Sequence, residues 1–311
     1  MSSNTFSTGI LEWYNIHKRD LPWRNHPEPY HVLVSEIMLQ QTQVSRVIEK
    51  FYEFTRRFPT LQDLARASKA EVIRAWSGLG YNRRALLLHR FAQVVVEEHQ
   101  GIIPNTREEL IKLPGIGPYT AGSIASFAFN KPEPAIDVNV RRIYMRYFEG
   151  KDQGAPMGKK EEQELYQLIK STIPEDQSSA LHNALMDFGS SVCTRDTPQC
   201  GGCPLRQACQ FAPRYTIQKE KALFVMEKKV EKGVSENGRY IPNRIFRGRI
   251  VELVRKNENK EWLLEELGKA VKKDYSALEK DWLRSLCQGL QKDKLIVFTS
   301  QGERIVLHLP W

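Results

Sequence analysis

The sequence predicts an all-α body over its first two-thirds and a smaller α+β module at its C-terminal end. Three observations predict this. Apolar residues recur at helical spacing from Ser7 to Ser190, and no clear strand pattern appears before Cys209. Beyond Cys209 the composition turns charged and aperiodic over residues 211–240. The chain then closes on K-L-I-V-F-T-S-Q-G-E-R-I-V-L-H-L, a hairpin pattern turning at Gln301-Gly302. With 311 residues and 41% hydrophobic content, the chain can bury one large core or two smaller ones.

In order, Ile10, Leu11, Trp13, Tyr14 and Ile16 predict a helix over Ser7 to Lys18, stopped by D-L-P-W at 20–23. A long helix is expected from Tyr30 to Thr55. It carries Glu36 among Val32, Leu33, Ile37 and Leu39, where a carboxylate is costly to bury unless used or paired; a solvated helix-face glutamate is the other reading. Helices over Leu61 to Trp76 and Arg83 to His99 are joined by G-L-G-Y-N, which puts Tyr81 on a turn. N-T-R-E-E-L at 105–110 opens a short helix, ended by L-P-G-I-G, and a helix over Tyr119 to Phe129 follows. Helix, hairpin and helix, with Gly115, Ile116 and Gly117 exposing backbone amides, suit a grip on a DNA phosphate. Asp137 then precedes a basic helix, and helices over Glu161 to Ile173 and Ser178 to Ser190 lead into a cysteine loop. Arg244 to Arg255, Lys260 to Ala270 and Ser276 to Gln291 read as three helices ahead of the hairpin, a pattern resembling a winged helix that binds DNA or protein.

The net charge of +9 is uneven: residues 1–210 hold 25 Lys+Arg against 23 Asp+Glu, whereas residues 211–311 hold 21 against 14. A basic balance is compatible with nucleic acid, and equally with a merely basic surface. No run of apolar residues is long enough to span a bilayer, and no secretory pattern is read at the start, so a cytoplasmic protein is expected. Cys193, Cys200, Cys203 and Cys209 fall in the spacing C-x6-C-x2-C-x5-C, which suits tetrahedral zinc or a [4Fe–4S] cubane better than disulfides. Cys287 reads as a buried core thiol.

Five stretches together resemble a known family. D-L-P-W-R at 20–24, S-E-I-M-L-Q-Q-T-Q-V at 35–44, G-L-G-Y at 78–81, L-P-G-I-G-P-Y-T-A-G at 113–122 and the four-cysteine loop are similar to the helix-hairpin-helix DNA glycosylases with an iron–sulfur cluster. Within these the chain resembles the adenine-excising branch, the MutY family. The resemblance covers Trp13 to Cys209. It implies a helix-hairpin-helix glycosylase core over residues 1–210, with a six-helix barrel over about 25–130 holding the hairpin 113–119, and a cluster domain from 1–24 and 131–210. A linker over 211–240 and a winged-helix-like α+β domain over 241–311 complete the expected division. By resemblance the cofactor is a [4Fe–4S] cluster on Cys193, Cys200, Cys203 and Cys209. The implied partner is double-stranded DNA with a mismatched or damaged base pair, met by a monomer, at the nucleoid if the source is prokaryotic.

Adenine leaves a sugar poorly unless a ring nitrogen is protonated, so a general acid is needed, and a second carboxylate must answer the cationic sugar. By resemblance Glu36 is the acid and Asp137 the second carboxylate, with Asn139 supporting it. Tyr119 stands where strand-cleaving relatives carry lysine; a phenol forms no Schiff base, so base release without strand cleavage is expected. A stacked base must be flipped to be reached. Gln41 and Tyr81 are implied to fill the vacated stack, and Thr42 to lie near the opposite base. Arg19, Leu21, Trp23, Arg24 and Asp187 are implied to line the base pocket. The sequence departs from the pattern at Asp187, one methylene shorter than the usual glutamate, at Val138 in place of glycine, and at Asn82. Its largest departure is the C-terminal module, which stands where a Nudix-like domain is usual. Removal of thymine or uracil opposite guanine, and an idle DNA-binding regulator on the same fold, are the alternatives.

Overall fold

The local chemistry of the chain sets where its helices begin. In the computed structural model, which describes residues 3–25, 27–152, 157–218, 232–257, 260–302 and 304–310, side chains cap several helices at their N-terminal ends. Thr60 and Asp63 form a capping box at the start of α5, as do Ser68 and Glu71 at α6 and, without the return bond, Thr106 at α8. In chain order the helices are α1 (Ser3–His17), α2 (Pro22–Asn25), α3 (Pro29–Leu39), α4 (Val44–Arg57), α5 (Leu61–Arg66), α6 (Lys69–Ala75), α7 (Arg83–Glu98) and α8 (Arg107–Leu110). There follow α9 (Pro118–Phe129), α10 (Val138–Tyr144), α11 (Lys159–Thr172), α12 (Ser178–Ser191) and α13 (Ala212–Gln218). The C-terminal part holds β1 (Gly233–Glu236), β2 (Arg239–Pro242), α14 (Asn243–Lys256), β3 (Glu261–Leu263), α15 (Leu264–Val271), α16 (Lys280–Lys292), β4 (Val297–Gln301) and β5 (Arg304–His308).

Four expectations change; the helix expected over Lys260 to Ala270 opens instead on strand β3 (Glu261–Leu263), with α15 starting at Leu264. The single helix expected over Tyr30 to Thr55 is two, α3 and α4, because Gln41 takes a left-handed backbone at φ 57° and ends the first. The helix expected over Leu61 to Trp76 is also two, because Ser68 caps a fresh start. The supposed linker 211–240 carries α13 and most of a hairpin, β1 pairing antiparallel with β2 about Asn237 (φ 50°) and Gly238 (φ 74°); its residues 219–231 lie outside the described residues.

The chain forms two units, Met1–Ile37 with Ile103–Val225, and Met38–Ile102 with Met226–Trp311. In the first, α1, α10, α11 and α12 bury Phe6, Ile10, Ile143, Tyr144, Ile169, Leu185 and Phe188 in one cluster. In the second, the terminal strands form a three-stranded sheet of order β3-β5-β4. Its core joins Phe246, Ile250, Leu267, Leu286 and Ile305 to Ala70 and Ile73 of α6. Among the described residues no helix is long and apolar enough to cross a membrane.

Candidate active site

The first unit brings together Glu36, Tyr119, Asp137 and Asn139. Glu36 sits on α3, whose neighbouring side chains Val32, Leu33 and Ile37 are core, so the carboxyl is carried inward and only 7% of the residue is exposed. Burial pushes its carboxyl up to about 6; hydrogen bonds from the hydroxyls of Tyr119 and Ser123 pull against this, and the charge of Asp137 adds to it. The Tyr119 phenol is pushed well above its ordinary value by burial and by both carboxylates, so it stays protonated and donates to Glu36.

Asp137 is the N-cap of α10. Its Oδ1 accepts from the backbone N–H of Asn139 and of Val140, each at 2.8 Å, and its Oδ2 accepts from Asn139 Nδ2 at 2.7 Å. Burial raises its carboxyl despite these bonds. Asn139 is held in turn: its Oδ1 accepts from Arg142 Nη2 at 2.8 Å, while the same guanidinium donates to the carbonyls of Gly189 at 2.7 Å and Cys193 at 2.8 Å. Gly189 on α12 makes room for this, since a Cβ there would lie 2.6 Å from Asn139 Cβ. If Asp137 takes part in base release, as the resemblance implies, Gly189→Ala is expected to lower that rate about tenfold to a hundredfold by displacing Asn139 and Asp137. Single-turnover kinetics beside a melting curve would check it.

The approach to Asp137 is fixed by two further residues. Gly122 on α9 lets the 134–135 backbone lie against the helix, a Cβ there falling 2.2 Å from the Pro134 carbonyl oxygen. His182, fully buried, accepts the Ala135 N–H at Nε2 (3.1 Å) and has Nδ1 2.8 Å from the Ser178 carbonyl oxygen, which puts its proton on Nδ1. Burial holds it down at about 4, so it is neutral in ordinary buffers.

Of the residues expected to line a base pocket, Leu21 and Trp23 are buried at 5% and 7% exposure. Asp187 is buried and clamped: Arg24 donates through Nη1 and Nη2 at 2.8 and 2.9 Å, and Arg19 through Nε at 2.6 Å and its backbone N–H at 3.1 Å. Burial raises the Asp187 carboxyl, but the two guanidiniums outweigh it and leave it below the ordinary value. Arg24 also acts electrostatically on Glu36, so the clamp and the buried acid are coupled. In the hairpin, Gly115 is left-handed at φ 78°, Ile116 is buried, and Gly117 is the N-cap of α9 with open space where a Cβ would stand.

The second unit carries Gln41, Thr42 and Tyr81. Gln41 and Tyr81 are exposed and left-handed, at φ 57° and 45°. Thr42 Oγ1 accepts from Arg84 Nη2 at 3.2 Å.

The expected [4Fe–4S] cluster is corrected. Among the described residues no group of three or more His, Cys, Asp or Glu side chains is placed so as to hold a metal ion. The side chains of Cys193, Cys203 and Cys209 pack against the Phe6–Phe188 apolar cluster. Burial pushes the thiols of Cys193 and Cys200 up, and that of Cys203 to about 11, and the neighbouring cysteines add to the rise. The loop is held instead by Arg146, whose guanidinium donates to the carbonyls of Thr194 (2.6 Å) and Arg195 (2.8 Å) and pairs with Asp152. The iron–sulfur part of the resemblance falls with this finding.

Sequence reading did not single out Ser123, Arg142, His182 or Gly189. Arg142 lay in a helix read as generally basic, and the other three act only through contacts between elements distant in sequence.

The helix-hairpin-helix fold is that of a base-excision class: the HhH-GPD superfamily base excision DNA repair protein family matches residues 34–171. The core is an all-α helix-hairpin-helix glycosylase-like body with a C-terminal β+α module. A solved thermostable thymine-DNA glycosylase shares the fold at TM-score 0.63 and 28% identity, covering 68% of this chain and 97% of that one. The adenine DNA glycosylase of Mycobacterium tuberculosis (strain CDC 1551 / Oshkosh) is 44% identical over 202 residues, 64% of this chain and 65% of that protein. The chain thus spans 65% of the length of that relative. The adenine DNA glycosylase of Buchnera aphidicola subsp. Schizaphis graminum is 35% identical over 280 residues, 83% of this chain and 80% of that protein. The chain belongs to the adenine DNA glycosylase family.

Proposed function

We propose that this chain is a monofunctional DNA glycosylase of base excision repair that hydrolyses the N-glycosidic bond of adenine opposite 8-oxoguanine or guanine. The observation that carries the reading is Glu36, a buried carboxyl raised to about 6 and electrostatically coupled to a second carboxylate, Asp137. At neutral pH such a group keeps a protonated fraction able to reach a flipped base, and it protonates a purine ring nitrogen as the bond to the sugar lengthens. Asp137, fixed by two backbone amides and Asn139, is ionised and faces the growing positive charge on the sugar, which it stabilises or briefly bonds before water adds. Tyr119 keeps Glu36 oriented and, being a phenol, leaves the product as an abasic site. Arg19, Arg24 and Asp187 act as one rigid wall beside Glu36, with Leu21 and Trp23 as its apolar part.

On this reading residues 1–210 perform the chemistry, the core taking a six-helix barrel with the hairpin 113–119 gripping a phosphate, and residues 241–311 bind a partner. The protein, on this reading, works as a monomer on double-stranded DNA, in the cytoplasm and, if its source is prokaryotic, at the nucleoid. The likeness to a thymine-DNA glycosylase favours a second reading, release of thymine or uracil opposite guanine. Glu36 weighs against it, because those pyrimidines offer no equivalent purine nitrogen to protonate. Incubating the protein with A:8-oxoG, A:G, T:G and U:G duplexes, then alkali, decides: cleavage of the adenine strands is expected, and cleavage of only the T:G or U:G strands would replace the first reading with the second.

A further inference from the structure

The second unit contains a cleft of about 590 Å³ between the turn at 78–84 and helix α14 of the C-terminal module. Arg46, Arg83, Arg84, Arg244 and Arg247 line it against a single lining carboxylate, Asp293, among the described residues. Its two walls are bonded to each other. Arg244 Nη1 donates to the Tyr81 hydroxyl at 2.7 Å, and just outside the cleft Arg255 Nη2 donates to Asn82 Oδ1 at 2.8 Å and Ser77 donates to Glu252 at 3.1 Å. Arg247 pairs with Asp293 at 2.5 Å.

The aromatic in this cleft is presented under strain. Tyr81 and Gln41, both lining residues, hold left-handed backbones that bulky side chains rarely adopt. One guanidinium holds both turns: Arg84 donates to the carbonyls of Met38 (3.1 Å) and Gln40 (2.5 Å) on one and of Leu79 (3.2 Å) on the other. The Tyr81 ring lies 5.5 Å from the Arg84 guanidinium carbon and 5.9 Å from that of Arg244, and 40% of the residue remains exposed. An exposed ring flanked by guanidiniums, in an electropositive cleft large enough for a small molecule, matches the chemistry of a nucleotide held by its phosphate with its base against an aromatic face.

We propose that α14 of the C-terminal module is a DNA-contacting element, with Arg244 and Arg247 supplying the phosphate-binding wall of a cleft whose base-facing wall is the Tyr81 turn. The module thereby shares one strand-binding site with the turn it is bonded to, instead of binding DNA separately. This rests on the glycosylase reading only in naming duplex DNA as the ligand.

The test measures binding of full-length protein in a Glu36→Gln background, so that turnover does not intrude, to a fluorescent duplex carrying A opposite 8-oxoG across a salt series. Arg244→Gln with Arg247→Gln is expected to weaken binding about tenfold and to reduce the salt slope by about two, the value for two lost phosphate contacts. Arg244→Lys with Arg247→Lys should restore most of the slope. Tyr81→Phe, which removes the Arg244 bond but no charge, should leave the slope unchanged. Native affinity and slope in the double glutamine variant, with a native melting curve, would overturn the proposal. So would a Tyr81→Phe variant reproducing the full loss, since the arginines would then act only by positioning Tyr81. Loss of inorganic phosphate binding without loss of duplex binding would reassign the cleft to a small anion and also overturn it. Adenine release by the chain carrying Glu36 tests the glycosylase reading separately.

Discussion

Glu36→Gln is expected to reduce adenine release about a thousandfold while duplex binding stays within about twofold, because the substitution keeps the shape of the side chain and removes the only proton it can give. Single-turnover kinetics and anisotropy on the same preparation check both halves; turnover within tenfold of the native rate would mean that another group protonates the base. The pH profile carries the same information. On the proposed mechanism Glu36 acts in its protonated form, and its carboxyl lies at about 6, so the rate should fall tenfold per pH unit above that point. The limb on the acid side belongs to Asp137, which must be ionised and whose carboxyl burial also raises. In Glu36→Gln the alkaline limb should vanish. Stability should follow pH in the same sense as activity, falling as Glu36 ionises. Lifting Glu36 from 4.5 to about 6 gives a contribution fully present below 4.5 and lost as pH rises through 6, about 2 kcal/mol. The glutamine variant should therefore melt higher than the native chain at pH 8 and nearly match it at pH 4.

Asp137→Asn is the second large effect. Asparagine is as good an N-cap as aspartate, so the start of α10 should survive. One bond does not: Asn139 Nδ2 donates to Asp137 Oδ2, and Asn139 Oδ1 is already taken by Arg142, so the new amide meets a donor with a donor. About 1 kcal/mol of stability is the expected cost. On the proposed mechanism base release should fall by a far larger factor, about a thousandfold, because the negative charge that would face the sugar is gone. Comparing urea midpoints with single-turnover rates separates the two; a rate loss no larger than the stability loss would remove Asp137 from the chemistry.

Much of this was readable in the sequence because it rests on short-range chemistry. The helix start at Arg83, one within a residue of Pro118, and the position of Asp137 just ahead of α10 follow from turn residues and helical spacing. Ser68-x-x-Glu71 and Asn237-Gly238 were readable too, as a capping box and a hairpin turn, but the apolar run of the first and the charge of the second masked them. The break at Gln41 had no such signal: its neighbours are ordinary helix formers, and only a strained backbone reveals it. The cysteine loop shows the opposite failure. Spacing brought four cysteines near one another in the chain, but it could not show that Cys193, Cys203 and Cys209 pack against the apolar cluster. The hold of Arg142 and Gly189 on Asn139 was invisible for a related reason, since it exists only where α10 meets α12.

That last contact has a consequence for damage. A continuous series of bonds runs from the Cys193 carbonyl through Arg142 and Asn139 to Asp137, so the effect of a thiol-directed adduct bulky enough to displace the loop would be transmitted to that carboxylate. The unit around it would stay folded on its apolar cluster. Under the proposed function, loss of turnover should therefore be the earliest sign of injury at residues 193–209, ahead of any change in melting, so the rate of base release would report on the state of the loop.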